Sequence, residues 1–333
     1  MSDHARRAIA DAISDHGPIS FAEYMELALY GAGGFYERPP VGAAQDSAFV
    51  TGPHVHPVFG HLLASGLLEL WDALGRPEPF RLTEVGAGDG TLARQLLDAF
   101  AEVAVDYVAV ERSPGAREGL ASIGEVAVRD RLEGDPHVVL AHELLDNLPF
   151  RRFRGAAEIL VGLDGGRFVE ICDADGEETL VPDGALAFVE EIATTLKRGY
   201  ALLIDYGGSS GPVHGYRAHR VVTDLFDDPG SSDITAGVDF ARIAERAEES
   251  GLVTLGNVSQ HDALMALGFD AWIRDELVKQ AQLLDERRGL DAVRTWGGRS
   301  RATLLADPAA LGRMRWLLLA TPGLPMPSWL GLP

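Results

Sequence analysis

Leu82-Thr-Glu-Val-Gly-Ala-Gly-Asp-Gly-Thr-Leu-Ala93 is the stretch that decides how this chain folds. The apolar run Phe80-Arg-Leu-Thr-Glu-Val85 reads as a strand. Gly86, Gly88 and Gly90 make a tight turn, and Thr91 to Phe100 carries apolar residues at helical spacing. Strand, glycine turn and helix form the first unit of a nucleotide-binding α/β sheet. A dinucleotide site wants the glycines as G-x-G-x-x-G. Here Thr91 holds the sixth position, and Glu84 stands two residues before the first glycine. A carboxylate there repels a pyrophosphate and attracts an ammonium. S-adenosylmethionine (SAM) has a cationic methionine end and no phosphate, so the stretch favours SAM over NAD.

Working outward, Val105 to Glu111 is a second strand that ends on an acid. Glu111 follows Gly86 by twenty-five residues, close to the ~20 at which a ribose-binding acid follows such a turn. Ser113-Pro114 opens the next helix as N-cap and first position. A third strand, 125–130, ends on Asp130, a candidate acceptor for the adenine amino group or a solvated loop acid. His137 to His142 is uniformly apolar until its end, as a strand covered on both faces should be. It runs into Glu143-Leu-Leu-Asp-Asn-Leu-Pro149. Reacting groups in open α/β sheets sit beyond the carboxyl ends of strands, where Glu143 and Asp146 both fall. In a helical turn their spacing puts them on one face, able to orient or deprotonate a nucleophilic nitrogen, or merely to cap a helix. A fifth strand, 199–205, again ends on an acid, and 252–256 and 314–320 complete the strand candidates, with helices over 260–290 between them.

Three regions flank this rhythm. Residues 1–75 read as helical, with a capping box at Ser20 and Glu23 and a long irregular stretch from Gly31 to Pro57. A loop of that length is more often functional than filler, and its aromatics Phe35, Tyr36 and Phe49 argue against disorder. Residues 151–198 read as an inserted β-arm, turning at Asp164-Gly-Gly166, followed by a helix; the basic cluster 151–154 reads as a solvated strand. Residues 207–240 read as an irregular loop on the substrate side; its Asp233 and Asp239 are candidates there, and Asp239 is also a plausible helix N-cap. The expected division is thus a 1–75 helical region with a cofactor-covering loop, and a 76–333 core.

Composition bounds the function. The chain has 333 residues, 46% of them hydrophobic, enough for a sizeable core. No apolar run reaches transmembrane length, and the N-terminus lacks a secretory h-region. Its net charge of −21 argues against nucleic acid as a ligand. One cysteine, Cys172, excludes an internal disulfide framework and fits a cytoplasmic setting. The histidines of 213–239 lack metal-ligand spacing, so no metal is expected. Many arginines against few lysines hint at a GC-rich bacterial genome.

Several blocks resemble one family in order: Gly17 to Met25, Gly34-Phe-Tyr36, Phe49-Val-Thr51 through Gly60, Glu84 to Leu92, Val110-Glu-Arg-Ser-Pro114, Glu143 to Pro149, Asp205-Tyr-Gly207 and Pro229 to Phe240. The chain resembles the MidA-like SAM-dependent methyltransferases, which include a mitochondrial protein arginine methyltransferase needed for respiratory complex I assembly. The resemblance implies a class I methyltransferase fold, α/β with a Rossmann-like seven-stranded sheet, an N-terminal extension and a β-arm. It implies that Glu84, Gly86, Gly88 and Gly90 hold the methionine end of SAM and Glu111 the ribose. Thr51 and Pro53 fold over the cofactor, and Glu143 and Asp146 stand beside the departing methyl group. The expected activity is methylation of a protein arginine nitrogen; the alternatives are a SAM-binding assembly protein without catalysis and an NAD-dependent oxidoreductase. This chain departs from the family pattern at four places: Ala48 for aspartate, His54 for glutamate, Asp89 for arginine and His142 for asparagine. His54 and His142 are therefore expected near the substrate, either titrating or as neutral hydrogen-bonding groups.

Overall fold

The computed structural model describes residues 2–37, 51–208, 213–217 and 220–331. Ala48, Phe49 and the loop around them lie outside the described residues. Seven strands form the central sheet: β1 (Phe80–Val85), β2 (Val105–Val110), β3 (Val126–Arg129), β4 (Val138–His142), β5 (Tyr200–Asp205), β6 (Val253–Ser259) and β7 (Arg315–Ala320). Their order is 6-7-5-4-1-2-3. All pairs are parallel except those made by β7, which runs antiparallel between β5 and β6. This is the seven-stranded, Rossmann-like methyltransferase sheet with its reversed last hairpin, as expected.

The helices are α1 (Ser2–His16), α2 (Phe21–Met25), α3 (Gly52–Val55), α4 (Val58–Ala73), α5 (Thr91–Ala99), α6 (Pro114–Ala121), α7 (Asp183–Thr195), α8 (Phe240–Glu249), α9 (Gln260–Ala266), α10 (Phe269–Asp285) and α11 (Gly289–Ala306). Ser20 caps α2 by accepting from the Glu23 N–H at 3.1 Å. Ser113 does the same for α6, with Pro114 at its first position. One face of the sheet is covered by α4, α5, α9 and α11, whose Phe59, Leu63, Leu96, Leu264 and Leu305 pack with Trp316 and Trp329. The other face takes Val189 and Ile192 of α7 and Ile243 and Ala247 of α8. Double cover explains why β4 and β5 are buried at every position and read as unbroken apolar runs.

Space groups the chain differently from the expected boundary at 75. Helix α4 packs on the sheet, whereas Ile19–Ser20 pairs with the arm strand Leu160–Asp164. Phe21 and Tyr24 share a cluster with Phe150 just before the arm, Phe168 of the arm and Leu225 of the loop beyond β5. The N-terminal segment, the arm and that loop thus form one roof over the carboxyl edge of the sheet. The arm's basic cluster is neutralised by neighbouring acids, and only its Arg151 and Arg154 stay partly solvated. Arg152 is largely buried and pairs with Glu170 and Glu178, while Arg151 pairs with Asp183.

Candidate active site

Between sheet edge and roof lies a cavity of about 600 Å³. Its floor is the glycine turn. Gly86, Gly88 and Gly90 all have positive φ, +77°, +55° and +75°. A Cβ on Gly88 would meet nothing within 4 Å, so the backbone there stands open to a ligand. A Cβ on Gly90 would strike Ile123 and Leu120, so that glycine serves close packing. Glu111, just past β2, fastens the turn: it accepts from the N–H of Gly88 at 2.9 Å and of Ser113 at 2.8 Å. Glu84 is buried in β1 and accepts from the Tyr107 hydroxyl at 2.5 Å. Burial pushes its carboxyl up to about 8, against which the Tyr107 bond works only in part.

The acidic motif leaves β4 through a strained step. Glu143 has φ +52°, a left-handed conformation costly for a residue with a Cβ. A short 3-10 turn, Leu145–Asn147, follows in place of a longer helix. Asp205, fully buried at the end of β5, dictates this shape. Its Oδ2 accepts from the N–H groups of Leu144, Leu145 and Asp146 at 3.1, 2.7 and 3.3 Å, and its Oδ1 from Tyr206 N–H at 2.7 Å. The turn delivers both Glu143 and Asp146 to the cavity wall. Glu143 Oε1 accepts from Gly52 N–H at 3.3 Å, and burial, reinforced by Asp146, pushes its carboxyl up to about 8. Burial also raises Asp146. Its Oδ2 accepts from the Thr235 hydroxyl at 2.7 Å; its buried Oδ1 has no partner among the described residues.

His142 lies behind this pair. Burial pulls its imidazole down to about 3, so it is neutral at physiological pH and does not titrate there. Its Nε2 is 3.3 Å from Glu143 Oε1 but out of hydrogen-bond alignment, and is otherwise unpartnered among the described residues. The lid segment lies over the glycine turn. His54 Nδ1 meets the Thr51 hydroxyl at 2.7 Å and Nε2 meets Asp89 at 2.9 Å. With a carboxylate at Nε2, that nitrogen carries the proton and Nδ1 accepts from Thr51. Burial works against ionised Asp89, but bonds from His54 and Thr91 outweigh it and hold the carboxyl down to about 2. Gln95 adds a bond to the Pro53 carbonyl at 2.8 Å.

The roof contributes aromatics and a third acid. Tyr30 stacks on Tyr36 at 5.5 Å, its hydroxyl donating to the Asn147 carbonyl at 3.1 Å and Arg112 lying over its outer face at 4.4 Å. Asp233 accepts from the Tyr216 N–H, and burial pushes it up to about 7.

The structure gathers Thr51, His54, Glu84, Gly86, Gly88, Glu111, His142, Glu143, Asp146 and Asp233 around one cavity. Three expected residues stand apart: Gly90, which is turned to Leu120 and Ile123, and two of the acids. Asp130 is exposed beyond β3 and Asp239 caps α8 by accepting from Arg242 N–H; neither lines the cavity. His54 is engaged by Asp89 and Thr91, which makes it a clasp for the lid rather than a group turned to the substrate. Asp205 and the aromatics Tyr30, Tyr36 and Tyr206 were not anticipated as site residues. For Asp205 a signal existed, an acid closing an otherwise apolar strand.

The charge of the lining tests which cofactor fits. Six carboxylates (Glu84, Asp89, Glu111, Glu143, Asp146, Asp233) face the cavity, and Arg313 is the one Lys or Arg among the described lining residues. A pyrophosphate would find no cation at the glycine turn. A ligand with an ammonium and a sulfonium finds the open backbone of Gly88 together with the carboxyls of Glu84 and Glu111 on the same cavity wall. SAM therefore fits and a dinucleotide does not.

Comparison with known proteins agrees. A protein from Burkholderia thailandensis, solved with S-adenosyl-homocysteine bound, is 29% identical, with a TM-score of 0.80 over 96% of this chain and 92% of that one. Human protein arginine methyltransferase NDUFAF7, mitochondrial, is 28% identical over 325 residues, 79% of this chain and 73% of its own length. Its Drosophila melanogaster homologue is 28% identical over 375 residues, 92% of this chain and 82% of that one. The profile of a family of S-adenosyl-L-methionine-dependent methyltransferases matches residues 62–173 and 166–258, and the chain, an α/β enzyme with SAM as its cofactor, belongs to that family.

Proposed function

We propose that the methyl acceptor is a guanidinium nitrogen of an arginine in a protein. The observation that carries this reading is the pair Glu143 and Asp146, two buried carboxylates with spare acceptor capacity in a cavity walled by tyrosines. A guanidinium is planar, cationic and rich in N–H donors, so it satisfies both carboxylates at once. Tyr36 and Tyr206, which line the same cavity, offer ring surface to that cation. The relatives named as protein arginine methyltransferases support the reading.

When bound, SAM supplies an electrophilic methyl group on a sulfonium and leaves as S-adenosylhomocysteine. Glu84 and Glu111 anchor the cofactor's charged and ribose ends. Glu143 and Asp146 fix the acceptor nitrogen, which forms its bond to carbon as the carbon–sulfur bond breaks, and Glu143 takes the proton the nitrogen sheds. A positioned carboxylate base contributes about 10²–10⁴-fold.

The test is transfer of labelled methyl from SAM to proteins of a deletion-strain lysate, read by mass spectrometry. Label on arginine is expected. Glu143→Gln should keep SAM binding and slow transfer by at least about a hundredfold. Label on another side chain, or normal turnover by Glu143→Gln, would overturn the assignment. SAM binding with no methylated product would favour an assembly role without catalysis.

A further inference from the structure

Helices α10 and α11 form a hairpin against the sheet, and its exposed side carries large apolar residues among the charged ones. Leu277 and Leu284 of α10 and Leu290, Val293, Trp296 and Leu304 of α11 are all exposed, Leu290 by 79% and Trp296 by 54%. On α11 the buried residues are Ala292, Ala302, Leu305 and Ala306. At 100° per residue, Leu290, Val293, Gly297 and Leu304 fall within about 60° of one another on the opposite side. The helix is thus apolar on two faces, and the fold uses one. Exposed patches of this kind mark binding surfaces.

We propose that a second copy of this chain covers the hairpin, with α11 packed antiparallel on its counterpart about a two-fold axis at Gly297. Three observations select that occupant. The first is charge. Residues 269–306 carry seven basic and six acidic side chains, whereas the rest of the chain carries twenty-two and forty-four. Two copies of a −21 protein repel over the rest of the sequence but not here. The second is self-complementary spacing. Leu290 and Leu304 each lie seven residues from Gly297, so a two-fold axis at that glycine sets Leu290 of one copy on Leu304 of the other. A Cβ at Gly297 would meet nothing within 4 Å, which leaves room for close approach at the axis. The third is size. An 18-residue helix is roughly 27 Å long and the hairpin about 20 Å wide, the order of the ~800 Å² each partner contributes to a standard interface.

The test is sedimentation equilibrium across the micromolar range, with the full chain. The wild type should sediment at twice its 35.7 kDa. Leu290→Asp with Trp296→Asp should raise the dimer dissociation constant at least roughly thirtyfold, with the SAM-induced thermal shift unchanged. Independently, Gly297→Cys in a Cys172→Ser background should oxidise to a cross-linked dimer. A wild type that is monomeric throughout would overturn the proposal and leave the face to a different partner. A dimer untouched by the double substitution, with no cross-link at position 297, would overturn it equally.

Discussion

At the scale of single residues, Glu143 carries the sharpest demand. Its carboxylate belongs to the chemistry, but its backbone stands at φ +52°, where glycine is at ease and other residues are not. Glu143→Ala and Glu143→Gly both remove the carboxylate, so both should lose methyl transfer. They should differ in stability, the glycine variant being favoured by about 1 kcal/mol because only alanine retains the strained Cβ. Equal melting temperatures for the two would show that the turn is not strained. A second residue-scale point joins two departures from the family pattern. His54 stands where the family has glutamate and Asp89 where it has arginine, and in space they bond to each other at 2.9 Å. The two substituted positions thus hold each other through a histidine–carboxylate hydrogen bond. His54→Glu alone should weaken SAM binding, since it sets two carboxylates together. Adding Asp89→Arg should recover most of the loss, with a coupling on the order of 1 kcal/mol or more in a double-mutant cycle. Purely additive affinities would refute the clasp. Each departure was visible in the sequence; that they compensate was not, because thirty-five residues separate them.

At the scale of elements, what was legible follows from burial. β1, β2, β4, β5 and β7 are packed into the sheet and announced themselves as short apolar runs. The glycine turn announced itself through positions that need positive φ. The roof did not, since its contacts join distant segments, as where Ile19 pairs with Val161 or Tyr24 donates to the Leu225 carbonyl. Helix α11 was missed for a local reason: Gly297-Gly298 in its interior weakens the helical signal. The Asp205 turn was half legible. The acid stood out, but its role depends on three N–H groups some sixty residues earlier in the chain. That geometry yields an element-scale prediction. Asn at 205 offers one acceptor oxygen where Asp offers two, so its amide nitrogen must face an N–H on one side. Asp205→Asn should fold and bind SAM normally, yet lower kcat by about ten- to a hundredfold as the turn shifts. Asp205→Ala leaves four backbone donors buried and should destabilise by about 3 kcal/mol or more. A Asp205→Asn enzyme with unchanged kcat would mean that the turn holds itself.

At the scale of the whole molecule, the sign of the charge organises the site. Burial raises Glu84 and Glu143 from the ordinary 4.5 to about 8, and Asp233 from 3.8 to about 7. A folded-state pKa above the unfolded one contributes stability that is fully present below the unfolded value and lost as pH climbs through the folded value. Without a cation in the cavity, the fold should therefore lose stability progressively from about pH 5 to pH 8. A cationic ligand reverses that trend, because it favours the ionised carboxylates that burial opposes. Below pH 8 SAM must displace protons from the site, and above it no longer needs to. Its dissociation constant should fall as pH rises from 6 to 8, by up to about tenfold per unit for each proton released, and then level off. Calorimetric titration in buffers of different ionisation enthalpy counts those protons directly. The melting temperature without ligand should drop over the same interval while the SAM-induced shift grows. A flat dissociation constant with no buffer dependence would mean that the carboxylates are already ionised in the empty cavity, and that its cation selectivity comes from hydrogen-bond geometry alone.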